Sequence, residues 1–130
     1  EAAARVIRSG VNAVAFPEGT RSRTGNLGRF HSGAFSLALR TGVPLVPIVL
    51  EGSYRVIRPK TLQVNPGVII RIRIERPVDL SGYTKGDKHR LMQDVYQLME
   101  RSLETLRARR EPDEECKDAV FRWIHKKRAP

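Results

Sequence analysis

Residues 12–25, NAVAFPEGTRSRTG, run a short apolar segment into a proline, a carboxylate and a glycine, then set two arginines two positions apart. Asn12–Phe16 reads as a short buried strand, and Pro17 forbids its continuation because it cannot extend a ladder. Gly19 permits a backbone conformation closed to other residues. The polar groups that follow are then held at the carboxyl end of a strand, where α/β sheets usually place their ligands.

Working outward, Glu1–Arg8 reads as a helix end stopped at Ser9-Gly10, and Pro17–His31, with its glycines and no hydrophobic period, reads as a loop. Gly33–Gly42 is a short helix closed by Gly42. Val43–Leu50 is an apolar strand carrying Pro44 and Pro47, so it belongs at an edge or at a bulge. In VIIRIRIERP, Ile70, Ile72 and Ile74 alternate with Arg71, Arg73 and Glu75, which predicts a strand with one wet face or one face under a polar layer. Asp87 is placed to cap a long helix reaching about Arg110. Met92, Tyr96, Met99, Leu103 and Leu106 form its core stripe, flanked by Leu91, Val95 and Leu98. Helices alternating with strands make this an α/β protein.

The 130 residues amount to about one domain, here divided into 1–110 and a basic tail, 111–130. With 24 Lys+Arg against 14 Asp+Glu, the net charge of +10 favours anionic partners: phosphate ligands, acidic lipid surfaces or nucleic acid. One cysteine, Cys116, excludes an internal disulfide and any multi-cysteine metal site. The longest apolar run, Val43–Leu50, is far short of the roughly 20 residues that span a bilayer. The chain starts at Glu1, inside an apparent helix with no N-cap before it, and reads as the interior of a longer protein.

Arg21 offers a planar fork able to bind phosphate through two charge-assisted hydrogen bonds, and in an extended segment Arg23 lies on the same side as a second contact. Glu18 is placed to orient Arg21 or to accept a hydrogen bond from a ligand hydroxyl. The residues alone admit a plainer reading too, a surface turn with a Glu–Arg pair of little energetic weight.

FPEGTRS, followed by RFHSGAFSLALRTGVPLVPIVLEGSYRV, resembles the glycerolipid acyltransferases typified by 1-acyl-glycerol-3-phosphate (lysophosphatidate) acyltransferase. Phe16–Ser22 matches that family's third motif without departure, and Val43–Ile48 matches the fourth, with Pro47 its fixed proline. Many members carry lysines at the positions of His31 and Ser32. The resemblance covers Glu1 to about Arg107. It implies a mixed central sheet flanked by helices, incomplete at its N-terminus. It also implies that Glu18, Gly19 and Arg21 bind the glycerol-phosphate part of the acceptor, with Thr20 and Arg23 completing the expected substrate-binding set, and that Pro47 and its neighbours, Pro44 among them, shape an acyl-donor pocket. The expected partners are lysophosphatidate, acyl-CoA or acyl carrier protein as co-substrate, and a membrane surface at its cytoplasmic face. No metal or other cofactor is expected.

The family's catalytic H-x4-D pair, in which His is the general base and Asp orients it, does not precede residue 16, so catalytic residues are expected upstream of Glu1 and the chain alone is expected to be inactive. His89 and Asp94 match H-x4-D by spacing. They follow the third and fourth motifs, however, and five positions on a helix set them about 140° apart, so the match reads as chance. His31 is a candidate for a local role in phosphate binding, against the plainer reading of a loop histidine with a structural hydrogen bond. Cys116 and His125 read as bystanders. Phe121, Trp123 and Ile124 beside Lys126–Arg128 suit either an interfacial segment or a solvated terminal helix. Two rivals are a noncatalytic truncated relative and a basic nucleic-acid-binding domain. The second is disfavoured by having only 8 aromatic residues, few among the basic ones, and no groove-reading motif.

Overall fold

In the computed structural model, residues 2–57 and 63–109 are described. The readings made for the tail, including Cys116, Phe121, Trp123, Ile124 and His125, lie outside them. Helix α1 (Ala2–Arg8) ends at Gly10, and Arg8 Nη2 reaches the carbonyl of Arg40 at 3.3 Å, tying it to helix α2 (Gly33–Thr41). As expected, α2 is closed by Gly42, whose left-handed backbone (φ 69°) lets its N–H bond the carbonyl of Ala38. Strand β1 (Ile48–Glu51) pairs antiparallel with strand β2 (Arg71–Ile74), in the register Ile48 to Ile74 and Leu50 to Ile72. Helix α3 (Lys88–Ala108) packs against α2 and against both strands.

The core sits between α2 and α3. Phe30, Phe35, Leu91 and Val95 are buried together, with Leu39, Leu45, Val78, Met92 and Tyr96 packed around them. The Phe30 ring lies 6.0 Å from Phe35 and meets Tyr96 edge-on at 5.0 Å, the offset geometries that aromatic quadrupoles favour. Phe30 thereby anchors the end of the glycine-rich loop to α3.

Four expectations are corrected. Asn12–Phe16 forms no strand among the described residues; Val14 and Phe16 are 82% and 76% exposed, because no neighbouring strand pairs with this segment. The strand expected over Val43–Leu50 begins only at Ile48 and runs to Glu51, since the two prolines upstream have no N–H to give a ladder; an isolated bridge, Leu45 to Val78, precedes it. The buried face of α3 is Leu91, Val95, Ser102 and Leu103, so Leu103 of the expected stripe is buried, whereas Met92, Tyr96 and Met99 pack at the flank of the core and the expected flanking Leu91 and Val95 lie at its centre. Asp87 stands at the N-cap position but turns its carboxylate backward, accepting from the N–H and hydroxyl of Thr84 at 2.7 and 2.6 Å.

The β2 alternation is present, and its charged face is the one that lies in a polar layer. Ile72 and Ile74 face outward, while Arg71 and Arg73 turn inward toward α3. There Glu51, buried on β1, lies 3.6 Å from Arg71 and 3.7 Å from Arg55. Arg73 pairs with Glu75, whose carboxylate also accepts from the buried hydroxyl of Ser102 on α3. A buried charge must be matched, and each of these carboxylates is.

Candidate phosphate-binding site

The loop from Pro17 to His31 is closed by short-range chemistry before any ligand is present. At its base, the N–H of His31 donates to the carbonyl of Pro17 at 2.8 Å. One turn further in, Glu18 Oε2 accepts from the N–H of Gly28 at 2.7 Å. At its tip, the Ser22 hydroxyl donates to the carbonyl of Asn26 at 2.7 Å and accepts from the N–H of Gly25 at 2.9 Å. Helix α3 holds it from outside: Arg107 donates to the carbonyl of Gly25 and to Asn26 Oδ1 at 2.9 and 3.0 Å, and the Tyr96 hydroxyl reaches the carbonyl of Leu27 at 3.5 Å.

Two glycines are required by this geometry. Gly19 has φ +67°, and a Cβ there would stand 3.2 Å from the imidazole of His31. Gly25 has φ +84°, and a Cβ would fall 2.4 Å from the Tyr54 ring.

On this frame Glu18 is half-buried, whereas Gly19, Thr20, Arg21 and Arg23 are exposed. Glu18 does not pair with Arg21. Its Oε2 clamps the loop, and Oε1 has no hydrogen bond among the described residues. Neither Arg21 nor Arg23 has a hydrogen bond or ion pair among the described residues, so both guanidinium forks are available to an anion. The imidazole of His31 lies against Gly19, inside the same turn. Pro44 and Pro47 are separated by environment: Pro44 lines a shallow cleft of about 320 Å³ with Pro77–Ser81, whereas Pro47 is buried and its carbonyl accepts from the N–H of Glu75. Among the described residues there is no cluster of His, Cys, Asp or Glu fit for a metal ion, and no helix long and apolar enough to cross a membrane.

The H-x4-D match on α3 is not a catalytic pair. Asp94 accepts the Tyr83 hydroxyl at 2.7 Å, which raises the pKa of that phenol, and His89 is exposed with no bond to Asp94. Sequence reasoning missed Tyr54, Tyr96 and Arg107. They lie far along the chain from the loop, and only the helical period of Tyr96 carried any signal.

Against known proteins, a profile of the family described as Acyltransferase matches residues 1–51. A 1-acyl-sn-glycerol-3-phosphate acyltransferase of Haemophilus influenzae is 36% identical over 104 residues, 80% of this chain and 42% of that one. Over these residues the chain is similar to the acyltransferase family. A chloroplastic enzyme of the same description from Brassica napus is 38% identical over 73 residues, 56% of this chain and 21% of its own length. The crystal structure of the 1-acyl-sn-glycerophosphate acyltransferase PlsC from Thermotoga maritima superposes with a TM-score of 0.71 at 29% identity, covering 85% of this chain and 45% of that one. The α/β fold of this chain is therefore shared with that solved structure. The chain spans less than half the length of these relatives.

Proposed function

We propose that this chain supplies acceptor binding to an enzyme that transfers a fatty acyl group from acyl-CoA or acyl carrier protein to 1-acyl-glycerol-3-phosphate, in phospholipid synthesis. The observation that carries this reading is the pair of unengaged guanidinium forks, Arg21 and Arg23, on a loop already fixed at its base, middle and tip. A phosphate dianion meets two cations there without the loop having to be ordered first, which lowers the entropic cost of binding. The Oε1 oxygen of Glu18 lies in the same turn and suits the glycerol hydroxyl of such an acceptor.

Attack of that hydroxyl on a thioester requires a base to take its proton, with the thiolate of the donor leaving. Among the described residues no imidazole is oriented by a carboxylate. The base in this reading is the His of the family's H-x4-D pair, supplied by other residues. Pro44, Pro47 and their neighbours would then border the acyl donor. Acceptor and product are both membrane lipids, so the reaction belongs at a membrane surface, on the cytoplasmic face where the acyl donors are. The reading calls for no metal and no nucleic acid, and the excess positive charge serves the anionic acceptor, donor and headgroups.

Titration calorimetry with glycerol-3-phosphate and with lysophosphatidate tests this. Arg21→Ala should weaken binding by about tenfold or more, the worth of a charge-assisted contact. Arg101→Ala, which removes an exposed charge from α3, should leave it within about twofold. Equal losses in the two variants would mean diffuse charge attraction rather than a phosphate site.

A further inference from the structure

The β1–β2 ribbon is inside out for a protein that ends at its own surface. Its charged side chains turn toward α3, where Glu51, Arg71, Arg73, Glu75 and Ser102 engage one another. The opposite face carries the cross-strand pairs Ile48 with Ile74 and Leu50 with Ile72, and all four side chains are substantially exposed, Ile72 by 60% and Ile74 by 68%. Val46 and Ile70 extend the same alternation beyond the paired residues and are also exposed. Contiguous apolar surface of this kind on a sheet marks an interface. A two-stranded ribbon also leaves one edge of each strand without a ladder partner among the described residues.

We infer that this face is the seat of polypeptide equivalent to the part of the acyltransferase relatives that this chain does not match. Three observations select that occupant. The solved Thermotoga maritima relative shares this fold over 85% of the present chain yet has more than half of its own length outside the match. The Haemophilus influenzae relative likewise has more than half outside. The open strand edges need hydrogen-bond donors and acceptors, which another polypeptide offers and acyl chains do not. A lipid surface would in addition require basic residues around the apolar patch, whereas the arginines of β2 point away from it and are paired. This inference rests on fold and family and is independent of the acceptor assignment.

The test is co-expression of the 130-residue chain with the unmatched remainder of the Haemophilus influenzae relative as a tagged, separate polypeptide. That relative's own matched segment serves as the positive control. The wild-type chain should co-purify with the remainder, and Ile72→Lys/Ile74→Lys should reduce recovery by about tenfold or more, since two apolar contacts are replaced by charges. Circular dichroism should show the variant folded, as expected for exposed positions. Arg21→Ala should co-purify like wild type, so failure of the acceptor reading leaves this result unchanged. The inference is overturned if the control pairs and this chain does not, or if the double variant pairs equally well. It is also overturned if sedimentation shows a homodimer, or flotation shows binding to phosphatidylglycerol vesicles, that the double substitution abolishes.

Discussion

The guanidinium of Arg107 donates to the carbonyl of Gly25 and to the side chain of Asn26, bridging 82 positions of sequence to hold the tip of the Pro17–His31 loop against α3. The loop is thus a property of the tertiary fold as well as of its own turn residues. Arg107→Ala should cost about 1 kcal/mol of stability, the usual net worth of such contacts. It should also speed amide exchange at the loop tip and weaken glycerol-3-phosphate binding by several-fold, through ordering entropy that must then be supplied on binding. Arg107→Lys should recover part of the loss, because both bonds leave the single Nη2 and an ammonium likewise carries more than one donor on one nitrogen. Unchanged phosphate affinity in Arg107→Ala would show that the tip need not be fixed.

Glu18 acts in the same frame from the other side. Its bond to the N–H of Gly28 makes it a clamp as well as a candidate ligand group. Glu18→Gln keeps an acceptor for Gly28, so it should preserve stability and weaken binding only through the lost interaction with the glycerol hydroxyl. Glu18→Ala should lose both, with stability falling by about 1 kcal/mol. Denaturant midpoints and calorimetric affinities measured on the two variants separate clamp from ligand. Identical affinities for Gln and Ala would mean that Glu18 is a clamp alone.

Gly19 and His31 are coupled by contact, which a double-mutant cycle can read. Gly19→Ala forces a side chain into a left-handed backbone, at about 1 kcal/mol, and presses its Cβ against the imidazole. In a His31→Ala background the second part should vanish while the first remains, so Gly19→Ala should be less damaging there. Equal costs in both backgrounds would show that His31 simply moves aside.

How far the sequence revealed this depended on the range of the forces involved. Pro17, Gly19 and Gly42 announce a loop and a helix end through local backbone chemistry, and the structure has both. Period-two alternation located β2. Alternation gives no sign, however, and the side that turned inward was set by Glu51 on β1 and Ser102 on α3, which no local pattern in 71–75 reveals. Asn12–Phe16 has the composition of a strand, but a strand also needs a neighbour to pair with. Arg107 looked like one more surface charge at the end of α3, since nothing near it in sequence points to Gly25.

The inward-facing polar layer gives a pH dependence with a definite sign. The pKa of Glu75 is lowered, chiefly by the hydroxyl of Ser102 and further by Arg73 through hydrogen bonding and charge, against an opposing push from partial burial. A carboxyl whose folded pKa lies below its unfolded value stabilises the fold above the unfolded value, and that contribution is lost as pH falls through the folded one. Ser102→Ala removes the largest cause, so the folded pKa should rise toward the ordinary glutamate range near 4.5. The variant should therefore be less stable than wild type at neutral pH, and the gap should narrow as the solution is acidified below that range. Acid unfolding of the variant should begin at higher pH. Glu75→Gln should flatten the same part of the profile without reversing it. Denaturation curves at several pH values from neutral down to about pH 3 would decide this, and a gap that stays constant throughout would mean that Ser102 contributes only packing.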